Sequence, residues 1–304
     1  MQFILYPLAS ILFYSLVAFL PQVGVISAVF SPLLILLYLD LPKRNRFSDF
    51  YLAGLIAVLG GFIPILAGFY LIAVIFPALF IQRYLKTGRR EQWVPSVLPP
   101  LGAFFAVFIA VFLFKQLNTS MTDVAQEGIE TIIKALQTAK SPIAEDPYFL
   151  KVAQNTRQAA QSIVMIFPAV NFIFASFSAH IAFNLYARMK RVQLLKYRLP
   201  DGLVWVLIAG FALIFVNQTQ VRHTGLNLIL IMMTLYAYQG FDIVAYWMIR
   251  LRIFPIIRAL IFVFIFSEPP AIILIALLGL FSVWFNLYGK QDKIEEQPPS
   301  DSQN

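Results

Sequence analysis

The chain has 304 residues, of which 60% are apolar and 12% charged, with thirty phenylalanines and a mean hydropathy of +0.78. A soluble domain carries about a quarter charged residues, so a water-soluble globule is excluded and a polytopic membrane protein is implied. The formal net charge of +8 sits in short clusters between apolar runs, a pattern of membrane orientation and contact with anionic lipid headgroups rather than of nucleic-acid binding, and the absence of cysteine removes disulfides, thiolate chemistry and cysteine-based metal or lipid attachment.

The N-terminal run MQFILYPLASILFYSLVAFL has no basic n-region and no small-residue cleavage site, so it reads as a retained first helix. Residues 3 to 39 are apolar with a break from Pro21 to Gly24 and end at Asp40, Lys43, Arg44 and Arg46. A single helix of that length would measure roughly 55 Å, so a two-helix hairpin fits a roughly 30 Å hydrocarbon layer better. Residues 51 to 82 repeat the arrangement around Gly60, Gly61, Pro64 and Gly68, followed by Arg83, Lys86, Arg89 and Arg90. That run accommodates two short helices or one helix with a re-entrant segment. Residues 96 to 117 form a fifth span with Gly102, Ala106 and Ala110 on one face, the kind of face at which helices pack closely, within one chain or against a partner.

The one sizeable polar segment runs from Asn118 to Ala160. Ser120 and Asp123 suggest a helix start, and Met121, Ala125, Ile129, Ile132 and Leu136 recur at three-to-four spacing. The spacing predicts an amphipathic helix that lies on the membrane surface or caps the bundle on the non-cytoplasmic side. A second helical stretch from Tyr148 leads into the sixth span, SIVMIFPAVNFIFASFSAHIAFNLYA, which closes on Arg188, Lys190, Arg191, Lys196 and Arg198. Residues 202 to 217 and 225 to 248 are the seventh and eighth spans; 253 to 267 and 269 to 288 are the ninth and tenth. The tail from 289 to 304 is polar and reads as disordered. Sixteen of the 23 Lys and Arg fall in the loops and tail of one side and five in those of the other, which puts both termini in the cytoplasm of a cell-membrane protein.

The sequence thus predicts an all-α, polytopic transmembrane helix bundle of about ten spans, some short or re-entrant, with one amphipathic extramembrane segment. Its parts are N-terminal membrane helices (1–117), an extracytoplasmic segment (118–160), C-terminal membrane helices (161–288) and a cytoplasmic tail (289–304). Phe167-Pro168-Ala169, the run from Asn184 to Arg188, Arg198-Leu199-Pro200 with Val204-Trp205, Asn227 and Gln239-Gly240 resemble the YybS-like family of bacterial membrane proteins, the domain of unknown function 2232. The resemblance implies a distant kinship to the substrate-binding S components of energy-coupling-factor transporters, and hence a transport or substrate-binding subunit.

Polar groups within spans are costly in hydrocarbon and face protein or a cavity. Asn227, Thr234, Tyr238, Asp242 and Tyr246 share one face of the eighth span, and Ser176, His180 and Asn184 one face of the sixth. Ser176, His180, Asn184, Asn227, Tyr238, Gln239 and Asp242 are therefore the candidate ligand-binding residues, for a small polar molecule. Arg258 is the candidate counter-ion of Asp242. A structural ion pair of Asp242 with Arg258 or Arg250, and a plain interhelical hydrogen bond from His180, fit the same residues. No GxSxG, phosphate loop or HExxH is present, so no enzyme, cofactor or metal is expected. The alternative to a transport subunit is a membrane scaffold or assembly factor that binds another membrane protein.

Overall fold

The computed structural model describes residues 2–42, 46–139, 141–285 and 287. Lys43, Arg44, Lys140 and the tail 289–304, on which part of the expected sidedness and the expected disorder rest, lie outside the described residues. Within them the protein is all-α, with no strand.

The N-terminal helices are α1 (Gln2–Phe19), α2 (Pro21–Ala28), α3 (Ser31–Leu39), α4 (Arg46–Phe62) and α5 (Pro64–Tyr70). A π-helical turn (Leu71–Ile75) then joins α5 to α6 (Phe76–Lys86). Proline begins α2 and α5 and is the second residue of α3 and α6, where its missing N–H is no loss. Buried hydroxyls hold this half together: Ser10 donates to the Ser31 carbonyl at 3.0 Å, Ser31 donates back to the Ser10 carbonyl at 3.1 Å, and Ser10 lies 2.8 Å from the Tyr70 hydroxyl. In hydrocarbon such paired groups hold helices together because an unpaired alternative is costly.

Next come α7 (Trp93–Leu113), α8 (Lys115–Thr138), a short 3-10 turn (Pro142–Glu145) and α9 (Pro147–Gln154). The start signal expected at Ser120 is displaced: the chain breaks at Phe114, in an extended conformation, and α8 begins at Lys115. Asp146 caps α9 by accepting from the Tyr148 and Phe149 amides. α10 (Thr156–Met189) has 34 residues, about 51 Å, well beyond a hydrocarbon layer of roughly 30 Å. Its first turns pack against α8, with Arg157 3.3 Å from Asp123 and the Thr156 hydroxyl 3.4 Å from Glu130.

α10 is also the spine between two cores. Ala179, Ala182, Phe183 and Tyr186 belong to the core of α1, α3 and α6, whereas Ala169 and Phe172 belong to the core of α7 and the C-terminal helices. Buried alanines along α10 let neighbours come close on several sides.

The C-terminal helices are α11 (Val204–Ile214), α12 (Thr219–Arg250), α13 (Pro255–Ser267) and α14 (Pro269–Phe281). Backbones of α12 and α14 touch: a methyl group added at Gly240 would lie 2.0 Å from the Ile275 carbonyl oxygen, and one at Gly279 would lie 1.9 Å from that of Tyr236. Only glycine permits that approach.

Five helices among the described residues are long and apolar enough to cross a membrane: Gln2–Phe19, Leu66–Lys86, Trp93–Leu113, Thr156–Met189 and Thr219–Arg250. Val23–Leu39 and Asp201–Ile214 are shorter apolar helices. The ninth and tenth expected spans are α13 and α14, with 13 residues each, about 20 Å and short of a full crossing. They meet at a bend of 106°, so the second turns back along the first in the shape of a re-entrant hairpin.

Candidate functional site

Between α10 and α11, residues 192–200 have no regular structure, yet Tyr197 and Leu199 within them are only 1% exposed. This strap crosses the end of the bundle where Arg188, Lys190 and Arg191 gather. Buried backbone groups need partners, and side chains of α12 supply them. The Tyr197 amide donates to Asp242 Oδ2 at 3.0 Å and the Leu199 amide to Gln239 Oε1 at 2.9 Å. Gln239 passes the connection on, donating to the Gly279 carbonyl at 3.2 Å and to Ser282 Oγ at 2.5 Å. On the other side of the strap, the Leu195 amide donates to the Arg90 carbonyl, and Gln92 Nε2 donates to the Leu195 carbonyl at 2.7 Å. Lys190, at the start of the strap, pairs with Asp40. Lys196 lies over the Tyr246 ring, 4.6 Å from its centre.

The loop that receives the strap is itself fastened by Glu91. The Tyr84 hydroxyl donates to Glu91 Oε2 at 2.6 Å and the Arg90 amide at 3.2 Å. These bonds, that of Tyr84 foremost, hold the Glu91 carboxyl below the usual carboxylate range.

Beneath the strap lies a cavity of about 710 Å³, within the range of small-molecule sites. Its walls come from α10 (Ile173, Phe177, His180, Ile181, Asn184, Leu185, Arg188), α12 (Thr234, Tyr238, Phe241, Asp242, Ala245), α13 (Phe262, Phe266), Ile272 of α14, Gln92 and Tyr197. One wall is an aromatic cluster. The His180 ring stacks on Tyr238 at 4.8 Å and 4°, and Tyr197 meets both edge-on at 5.4 and 5.8 Å. On the other wall Phe241 packs against Phe262 and Phe266 at 5.9 and 4.9 Å. His180 is further fixed through Nδ1, 3.0 Å from Ser96 Oγ, and Asn184 Nδ2 donates to the His180 carbonyl at 2.9 Å.

Of the residues expected to bind a ligand, the structure brings His180, Asn184, Tyr238 and Asp242 to this one cavity. The other three are placed elsewhere. Ser176 is buried and donates to the Ser96 carbonyl at 2.6 Å. Gln239 holds the strap and borders a smaller cavity of about 240 Å³ on its far side. Asn227 accepts from the Ala169 amide and donates to the Met165 carbonyl, both at 2.8 Å. It therefore stands across the helical ladder of α10 beside Pro168, where the ring disturbs the regular bonds. Arg258, the expected counter-ion, is not among the lining residues, and its Nε is buried without a hydrogen-bond partner among the described residues.

Sequence reasoning missed Gln92, Tyr197 and the phenylalanines. Thr234 carried a signal, since it lies on the polar face of α12. The phenylalanines carried none, because a lipid-facing ring and a cavity-facing ring are the same residue in sequence.

The chain matches the family described as "Predicted membrane protein (DUF2232)" over residues 8–282, and it belongs to that family. No match was found among curated proteins or among solved structures.

Proposed function

We propose that this integral membrane protein of the DUF2232 family is a binding or transport subunit, not an enzyme, and that it takes a small molecule into the cavity between α10 and α12. The observation that carries the reading is the cavity itself: an aromatic chamber of about 710 Å³ with Asn184, Gln92 and Asp242 gathered at one end. Apolar walls with a few placed polar groups are the general form of a ligand site. Kinship to S components, in which a membrane subunit binds substrate and another part supplies energy, is part of the same proposal. So is its orientation: the strap, with Lys190, Arg191, Lys196 and Arg198, faces the cytoplasm, as do both termini.

Native mass spectrometry of the full chain, extracted from its own membrane with surrounding lipid, tests this. A bound small molecule should be present in the wild type and absent from Thr234→Trp, which fills the cavity. Retention of the same molecule by Thr234→Trp would remove the cavity from the account. The scaffold reading has its own observation, the face of α7 where Gly102 and Ala106 are exposed, bordering a groove of about 580 Å³ with Phe114 and Leu117. It would then be the better one.

A further inference from the structure

The cavity is polarised along its length. α10 and α12 run in the same direction, so residues at matching levels can be read as rungs: Asn184 beside Asp242 at the strap end, His180 beside Tyr238 in the middle, and Ile173 beside Thr234 at the deep end. From Arg188 to Ile173 is about 22 Å along α10. A volume of about 710 Å³ spread over that length averages roughly 30 Å² in section, the width of one chain or one ring. This is a slot, not a globular pocket.

Hydrogen-bonding capacity is equally one-sided. Gln92 uses its amide nitrogen on the Leu195 carbonyl, and Asn184 uses its own on the His180 carbonyl. No bond is made to either side-chain carbonyl oxygen among the described residues. With the Asp242 carboxylate on the same end of the lining, the slot presents acceptors there. Arg188, the one lining cation, is exposed at the rim, about one turn nearer the strap end than Asn184. Further in, Tyr238 is 7% exposed, lines the slot, and its hydroxyl has no hydrogen-bond partner among the described residues. Beyond it the walls are Phe177, Phe266, Ile173 and Ile272, with the Thr234 hydroxyl donated to the Leu230 carbonyl.

Resting on the cavity reading above, we propose that the ligand is a slender single-chain amphiphile. Its hydrogen-bond-donating cationic head lies among Asp242, Asn184 and Gln92, and its apolar tail runs along α10 towards Ile173 and Ile272. An ammonium offers three donors and no acceptor, the complement of that end of the slot. From Asn184 to Ile173 is about 16 Å, the extended reach of roughly twelve carbons at bond lengths near 1.5 Å. A compact polar molecule would leave the deep half of the slot unfilled.

The test uses the full chain in lipid nanodiscs, with its thermal unfolding midpoint followed against n-alkylammonium ions of two to sixteen carbons and the matching n-alkanoates. Stabilisation by the ammonium series should grow with chain length to about twelve carbons and then level off, and the alkanoates should not reproduce it. In Thr234→Trp, remote from the strap, the levelling-off should come several carbons earlier. Asp242→Asn should weaken the ammonium effect at least tenfold at every length. Since the probes partition into bilayer equally for each variant, differences between variants report the slot. Stabilisation independent of chain length, equal for alkanoates, or with an unshifted cut-off in Thr234→Trp would overturn the amphiphile. The cavity reading would survive that result if native mass spectrometry still showed a bound molecule lost in Thr234→Trp. No stabilisation by any probe, together with no bound molecule in the wild type, would overturn both.

Discussion

Gln239→Leu should release the strap. The substitution keeps the size and apolar character of the α12 surface and removes the acceptor of the Leu199 amide, at 2.9 Å, together with the donor to Gly279 and Ser282. Leu199 is 1% exposed, so its N–H would have neither a protein partner nor water. Leaving one buried donor unsatisfied costs about 1–3 kcal/mol, a factor of about 5 to 150 in the equilibrium between docked and released strap. Hydrogen exchange read by mass spectrometry on a peptide covering residues 192–200 should rise by that factor in the variant. Peptides from α1 and α3, in the other core, should change little, because sites without shared partners behave independently. Uniform acceleration along the whole chain would mean that Gln239 supports the bundle and not the strap. An unchanged strap would mean that packing of Tyr197 and Leu199, and not these hydrogen bonds, keeps it in place.

Three further outcomes follow from the geometry. Gly240→Ala should lower the thermal unfolding midpoint sharply, because its methyl group meets the Ile275 backbone, with a cost of about 1–3 kcal/mol or more; Gly54→Ala, where nothing lies within 4 Å, should leave the midpoint unchanged or slightly raised, and equal effects would refute the close approach of α12 and α14. The lowered Glu91 carboxyl contributes stability that is fully present above its ordinary value of 4.5 and is lost as pH falls through its depressed folded value; the stability difference between wild type and Glu91→Gln should therefore shrink below about pH 4.5, and a difference that grows in acid would reverse the assigned sign. In the cysteine-free chain, Lys86→Cys and Lys140→Cys report sidedness: an impermeant thiol reagent applied to intact cells should label the second and not the first, and labelling at Lys86 would invert the orientation.

Much of the architecture was legible because the solvent dictates it. Hydrocarbon demands long apolar helices, so the runs that became α1, α7, α10 and α12 could be read from length alone. Where length was marginal, so was the reading: α13 and α14 have enough apolar residues for two spans only if each is stretched over its flanking loop, and Glu268-Pro269-Pro270 instead makes a bend of 106°. The helix start at Ser120 failed for a similar reason, since the extended backbone at Phe114 ends α7 and lets α8 begin five residues earlier.

The polar residues were legible as costly groups but not as groups with a destination. A buried side chain that needs a partner looks the same in sequence whether that partner is a ligand, a kinked neighbour or a piece of unpaired backbone. Asn227 serves the proline-disturbed turn of α10, and Gln239 serves the strap. The strap was hidden because its cations read as a topology signal, and nothing in that signal shows that Tyr197 and Leu199 fold back beneath them. Asp242 alone does both things, accepting from the Tyr197 amide while lining the cavity, so its substitution changes latch and chamber together. Gln239 latches the same strap without lining that cavity. Effects shared by Asp242→Asn and Gln239→Leu therefore belong to the strap, and what Asp242→Asn changes beyond them belongs to whatever occupies the chamber.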